Sequence, residues 1–387
     1  MAKNMAVIPD LPEEPTEERT MHVRPADRAA AMAALSHEMA HVLVLLSPEQ
    51  PRRFPISAAA MTIGRVPPSD IVLNDSAISR RHCRLERAGD EVRLTDLGST
   101  NGTFVDGEAV TGTVTLSDGA RVQVGAQVLR YERKRQEDMV ASQSLDRDLA
   151  KAHSYVSALL PPPINDGPVQ AAWYFQPCTT LGGDAFGYQM LGPDWFIAYI
   201  LDVSGHGVGA AMHSVSVMNV LRGRALPNTD MRDPAAVLGG LNDMFDMETH
   251  HGLYFTIWYC SYHLPSRTLA YGSAGHHGGL LCAAAGARQA VTLGHRHPGI
   301  GMHPGHMFAT ERVAIAPGNR LYLFSDGAFE IVPKTGPAWT HQTMLDLLRA
   351  PPTPGLSEPE RLYRAARAAS HPGPLEDDFS MLELRFQ

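Results

Sequence analysis

Apolar and polar positions along the chain change their rhythm twice. From residue 41 the apolar residues come in short β-type runs, at 41–46, 61–63, 82–86, 91–95, 114–116, 121–124 and 127–132. Clusters of Pro, Gly, Asn and Asp separate them at short intervals, the rhythm of an antiparallel sandwich. Residues 38–132 are therefore read as one all-β domain. Over 133–163 the period becomes helical: Leu145, Leu149, Ala152, Val156 and Leu159 recur in steps of three and four until Pro161, Pro162 and Pro163 end the segment. This stripe either docks on a domain of its own chain or pairs with the same helix of a second copy, making a homodimer. Beyond it, over 164–387, strands expected at 169–175, 195–202, 254–263, 268–273 and 320–325 mix with helices expected at 209–226, 234–248, 341–350 and 359–369. Strand pairs followed by long helices predict a layered α+β domain, not a parallel doubly wound one. Residues 1–37 carry Pro9, Pro12, Pro15 and the acidic pairs Glu13–Glu14 and Glu17–Glu18, a composition that predicts a disordered tail.

Composition narrows the partners. With 387 residues and 44% hydrophobic content the chain has material for two or three cores. A formal charge of −8 argues against nucleic acid or an anionic membrane as the main partner. No apolar run approaches the roughly 18 to 20 residues that span a bilayer, and residues 1–10 lack the apolar core of a secretory signal. Cys83, Cys178, Cys260 and Cys282 form no CxxC pair, which fits a reducing, cytoplasmic setting.

The candidate chemistry of the β domain sits in its connections: Gly64-Arg65, Ser79-Arg80-Arg81-His82 and Gly98-Ser99-Thr100-Asn101-Gly102. Guanidinium and hydroxyl donors on adjacent loops suit one tetrahedral dianion. In order and spacing these residues resemble the forkhead-associated (FHA) domain. The resemblance implies an eleven-stranded sandwich that binds a phosphothreonine-containing partner. Arg65 and Ser79 would hold the phosphate, Arg80 would add a contact, and Thr100 and Asn101 would order the loops and bind peptide backbone. His82 would brace the loop.

Four acidic motifs follow: Gly182-Gly183-Asp184, Asp202-Val203-Ser204-Gly205-His206-Gly207, Phe324-Ser325-Asp326-Gly327 and Asp377-Asp378-Phe379-Ser380. Each places an Asp beside Gly or Ser next to an apolar, strand-like run, where distant carboxylates can converge on hard cations. Oxygen-only ligands favour magnesium or manganese over zinc. Two such ions can activate water and neutralise a phosphoryl group during in-line displacement. No Walker-type GxxxxGK[ST] is present.

With Ala274-Gly275-His276, Pro298-Gly299-Ile300-Gly301 and Glu330, these motifs resemble in order the metal-dependent protein phosphatases (PPM), specifically the SpoIIE/RsbU-like branch. The resemblance implies hydrolysis of phosphoserine or phosphothreonine on a regulatory protein, such as an anti-sigma-factor antagonist, with two Mn²⁺ or Mg²⁺ ions. Asp202 would bridge both ions, the Val203 carbonyl would be a ligand, Asp326 and Asp377 would complete the second ion, and Asp184 would act through water. Asp377 and Asp378 compete for one role, and Asp377 is favoured as the first of the pair. The run Ala185-Phe186-Gly187 departs from the family pattern, as does FSDG for the commoner YTDG. A different class of function, an inactive phosphoprotein-binding adaptor on the same scaffold, is distinguished by turnover.

Two further patterns are set aside. His37-Glu38-Met39-Ala40-His41 matches the HExxH string of zinc proteases, but His41 already belongs to a β-type run, which would send the two imidazoles to different places. The histidines at 276–277, 295–297, 303 and 306 read as loop residues near the rim of the site.

Overall fold

The structure is a computed structural model, and it describes residues 39–46, 52–249, 252–283, 290–294 and 296–387. The tail expected at 1–37, and with it His37 and Glu38 of the HExxH string, lies outside the described residues, as does His295.

The front domain has eleven strands: Met39–Leu45 (β1), Arg52–Pro55 (β2), Ala60–Gly64 (β3), Ile71–Val72 (β4), Cys83–Ala88 (β5), Glu91–Asp96 (β6), Thr103–Val105 (β7), Glu108–Ala109 (β8), Thr113–Thr115 (β9), Arg121–Val124 (β10) and Gln127–Arg135 (β11). They form a six-stranded sheet, β2-β1-β11-β10-β7-β8, facing a five-stranded one, β4-β3-β5-β6-β9. Alternation builds the core. Leu43, Ile63, Leu85, Leu94, Val122 and Leu129 turn inward and are fully buried, each contributing about 1.5–3 kcal/mol. His41 lies on β1, buried, with Nδ1 2.7 Å from the Tyr131 hydroxyl. A strand position with an aromatic partner explains it without zinc.

The helix Gln136–Leu159 (α1) leaves β11 directly and ends at Leu160 before the three prolines. Its apolar stripe is split between uses. Met139 is buried against Val42 and Val44; Leu149, Ala152, Val156 and Leu159 are half-buried, and Leu145 is 59% exposed. Polar contacts fix both ends. Arg53 on β2 reaches Glu132 at 3.0 Å, donates to Ser142 Oγ at 2.8 Å and pairs with Asp146. Further along, the His153 ring bonds the Thr180 carbonyl at 2.9 Å.

The rear domain stacks two antiparallel sheets. One runs β12-β21-β20-β17-β18, built from Val169–Gln176 (β12), Phe379–Phe386 (β21), Arg320–Phe324 (β20), Gly279–Cys282 (β17) and Ala290–Leu293 (β18). The other runs β13-β14-β15-β16-β19, from Ala185–Leu191 (β13), Trp195–Val203 (β14), Phe255–His263 (β15), Thr268–Ala274 (β16) and Glu311–Ala314 (β19). Ile197, Trp258, Leu321, Leu384 and Phe386 share one core between them. Helices Val208–Gly223 (α2) and Pro234–Met244 (α3) cover the second sheet; His341–Arg349 (α4) packs with Glu358–Ala369 (α5), which covers the first. All pairings within these two sheets are antiparallel, as the α+β reading expects. Strand β13 occupies the run treated above as a motif departure. Its Gly187 is required by packing, since a Cβ there would collide with the Tyr199 hydroxyl.

Among the described residues, no helix is long and apolar enough to cross a membrane. All four cysteines are free thiols.

Candidate active site

Strand register brings the acidic motifs together. Strands β20 and β21 are antiparallel with Phe324 opposite Met381, so the residues leaving β20 meet those entering β21. Ser325 N–H donates to the Ser380 carbonyl at 3.0 Å, Ser380 N–H to Ser325 Oγ at 3.1 Å, and Ser325 Oγ to the Asp378 carbonyl at 3.0 Å. The hydroxyl kept in FSDG is thus a clamp between two motifs. Its glycine is dictated as well, because a Cβ on Gly327 would collide with the Asp378 carbonyl.

On the other side of β21, Gln176 pairs with Phe379, which sets the 177–184 loop over the same end of the sheet. Asp378 then pins that loop: Oδ1 accepts from Cys178 N–H at 2.8 Å, and Oδ2 from Gly183 N–H at 2.7 Å and Asp184 N–H at 3.4 Å. The loop closes on the second sheet through Gly207 N–H, which donates to the Leu181 carbonyl at 3.2 Å. A Cβ on Gly183 would sit 2.7 Å from the Val203 carbonyl oxygen. That close approach puts the carbonyl of Val203, whose side chain is in the core, beside the Asp184 loop.

Electrostatics show how crowded the result is. Asp184 is buried with Oδ2 unpartnered. Burial first, then Asp202 and Asp378, raise its pKa well above the usual carboxylate range. Asp202 is pushed up to about 8 by burial, then by Asp326, Asp377 and Asp378. Asp377, partly desolvated although it opens onto the cleft, is raised as well, with Asp326, Asp378 and Glu330 adding to it. Carboxylates that repel one another around an unsatisfied buried oxygen are relieved by protons or by cations.

The donor set fits a hard divalent ion. Cys178 Sγ, Asp377 and Asp378 offer ligand atoms within 4.8 Å of one another, but burial beside Asp378 raises the thiol, so it stays protonated and leaves oxygen ligands. The adjacent aspartates differ in surroundings: Asp378 is buried with both oxygens bonded to backbone N–H groups, whereas Asp377 is exposed and lines the cleft.

Above this cluster opens a cleft of about 900 Å³. Asp377, His206, Gly327, Glu330 and Glu376 line it, and so do Arg121 and Arg130 of the front domain. Sequence reasoning missed Arg121 and Arg130 because only the folded chain brings β10 and β11 to the same cleft as the acidic motifs. The histidine reading is corrected at 276–277 alone; His297, His303 and His306 lie in loops, as expected. His276 is buried and held neutral, its pKa lowered to about 4 by burial, while His277 stacks on it and lies against Phe324 and Phe329. His206 is the motif histidine on the cleft.

A second cluster lies on the front domain. Arg65 follows β3 and its N–H donates to the Ser79 carbonyl at 3.0 Å. Ser79 Oγ accepts from Thr100 N–H at 3.1 Å and lies 3.4 Å from the Thr100 hydroxyl. Asn101 donates to the Ala77 carbonyl at 2.8 Å, and Arg80 is exposed. His82, fully buried, ties these loops. Its Nδ1 accepts from Ser79 N–H at 3.1 Å, so Nε2 carries the proton and donates to the Gly102 carbonyl at 3.0 Å.

Fold and site together define an FHA domain followed by a PP2C-type domain. A family model for Stage II sporulation protein E (SpoIIE) matches residues 193–387, just over half of the chain, and the chain belongs to that family. The FHA domain model matches residues 61–125. The SiaA-PP2C domain of Pseudomonas aeruginosa shares the fold, with a TM-score of 0.54 at 21% identity, covering 64% of this chain and 98% of that one. Oxoglutarate dehydrogenase inhibitor of Corynebacterium jeikeium is 38% identical over 96 residues, 25% of this chain and 66% of that protein. Glycogen accumulation regulator GarA of Mycolicibacterium smegmatis is 40% identical over 84 residues, 22% of this chain and 52% of that protein. The chain thus spans between half and two thirds of these curated relatives.

Proposed function

We propose that this protein is a metal-dependent serine/threonine protein phosphatase whose FHA domain binds a phosphothreonine-containing partner. The observation that carries the reading is the convergence of Asp184, Asp202, Asp326 and Asp377 from four distant segments, with a buried Asp184 oxygen that no protein group satisfies. Asp202, Asp326, Asp377, the Val203 carbonyl and Asp184 would hold two Mn²⁺ or Mg²⁺ ions. When bound, such ions supply Lewis acidity toward phosphoryl oxygens and a nucleophile at neutral pH.

The chain's own residues do the rest. Asp378 and the Ser325 hydroxyl fix the three loops so that the ligand oxygens are preorganised. The apolar strands behind Asp202 and Asp326 keep the floor of the site dry, which strengthens each electrostatic contact. On the FHA domain, Arg65, Ser79 and Arg80 would take the phosphate, with Thr100 and Asn101 holding the loop and the peptide backbone. The substrate class that fits is a phosphorylated regulatory protein, an anti-sigma-factor antagonist among the candidates. Hydrolysis of p-nitrophenyl phosphate with added Mn²⁺, lost in Asp202→Ala, tests the reading. Absence of turnover in the intact protein over a range of divalent ions would leave only the phosphoprotein-binding adaptor.

A further inference from the structure

One wall of the catalytic cleft comes from the FHA domain. Arg121 opens β10 and Arg130 lies directly opposite it on β11, in the paired register. Like charges placed opposite each other across strands are destabilising. Arg130 is compensated, since Nε and Nη2 donate to Glu132 at 3.1 and 2.6 Å. Arg121 is not: its backbone N–H donates to Asp106 Oδ1, but its guanidinium has no ion-pair partner among the described residues. It reaches instead toward the segment leading to Asp377, where a Cβ on Gly373 would lie 3.9 Å from Nη2. Glu330, Glu376 and Asp377 line the same cleft. An uncompensated cation on a cleft wall is the group that receives an anionic ligand group.

We propose that Arg121, seconded by Arg130, is a specificity-determining residue, contacting an acidic side chain that flanks the phosphorylated residue of the substrate. The inference rests on the phosphatase reading of this cleft and adds the substrate class. A flank is assigned, not the phosphoryl group, because the aspartate cage takes the phosphoryl group. A cleft of about 900 Å³ also exceeds the room one phosphorylated side chain needs, so its neighbours enter with it. The phosphothreonine loops stay accessible, since Val124 pairs with Thr103 at one end of β10 while Arg121 stands at the other.

The test uses the full chain and three phosphoserine peptides identical except for Glu, Ala or Lys flanks; phosphoserine avoids competition from the phosphothreonine site. Turnover with Mn²⁺ is measured for each, and binding is measured separately by fluorescence anisotropy in an Asp184→Asn background. The intact protein should favour Glu over Lys flanks by about fivefold. Arg121→Glu should invert that order, and Arg121→Lys should keep it. A structural role for Arg121 would weaken all three peptides alike. That outcome, an order unchanged by the charge swap, or no flank preference in the intact protein would each overturn the inference. Inverted binding without any turnover would uphold the arginine wall while sinking the phosphatase reading. Turnover with a preference indifferent to Arg121 would do the reverse.

Discussion

The two proposed phosphate sites of this chain are built with opposite charge. On the FHA domain the ligand groups are permanent cations and neutral donors, and the loops carrying them are held by neutral hydrogen bonds through His82, Ser79 and Thr100. Keeping that site ready costs little. In the rear domain the ligand groups are anions packed against one another, with Asp184 and Asp202 raised by burial and mutual repulsion. That site is strained as a set of anions until protons or cations arrive. On the proposed reading one site takes phosphate directly and the other through recruited ions, which predicts that only the second responds to chelation.

The largest effect separates them outright. Asp202→Ala should lower Mn²⁺-dependent ester hydrolysis by about a thousandfold or more, and excess chelator should do the same to the intact protein. Phosphothreonine-peptide binding, measured by titration calorimetry, should be indifferent to both. If chelation abolished peptide binding, the contrast between the two sites would be wrong. Conversely, Arg65→Ala should weaken that binding by about a hundredfold, the scale of charge-assisted hydrogen bonds to a dianion. Binding that survives the change would move the phosphate elsewhere on the loops.

The two sites also differed in how well they could be read beforehand. The FHA loops were legible because Arg65, Ser79 and Asn101 sit in local motifs whose spacing survives in one dimension. The acidic motifs were legible only as an ordered set, and Asp377 was favoured over Asp378 by its place in the pair, with no physical reason. Their surroundings differ, and the difference depends on Gln176 pairing with Phe379 and on the N–H groups of Cys178 and Gly183, some 200 residues away. Strand β13 was not foreseen, nor were β17, β18 and β19, each a four-residue segment too short to show alternation and defined by sheet pairing alone. Arg121 was invisible for the same reason: its significance lies between domains.

The Asp pair yields a prediction of moderate size. Asp378→Asn should cost about 2 kcal/mol of stability by weakening the acceptor of several backbone N–H groups. Asp377→Asn should leave the melting temperature nearly unmoved while lowering turnover. If Asp378→Asn melts like the intact protein and keeps its activity, the loop is held some other way.

The smallest effect tests the sign of the contrast. Burial alone would raise Glu132, but Arg130, Arg53 and Lys134 outweigh it and lower its pKa from 4.5 to about 2. A depressed folded value means the stabilisation is present above the unfolded pKa of about 4.5 and is lost as pH falls through about 2. Because Arg130 and Lys134 are partly exposed, Glu132→Gln should cost only about 1–2 kcal/mol at pH 7. The gap to the intact protein should close as pH falls from 4.5 to 2. Asp202 runs the other way in the chelated protein. Its folded value is raised from 3.8 to about 8, so its contribution is complete below 3.8 and is lost as pH rises through 8. Denaturant titrations across pH should therefore show Glu132→Gln removing an acid-side slope and Asp202→Asn removing a slope between pH 4 and 8. A common sign for the two would mean that the rear cluster is not strained by its own charge, and the need for cations would lose its physical basis.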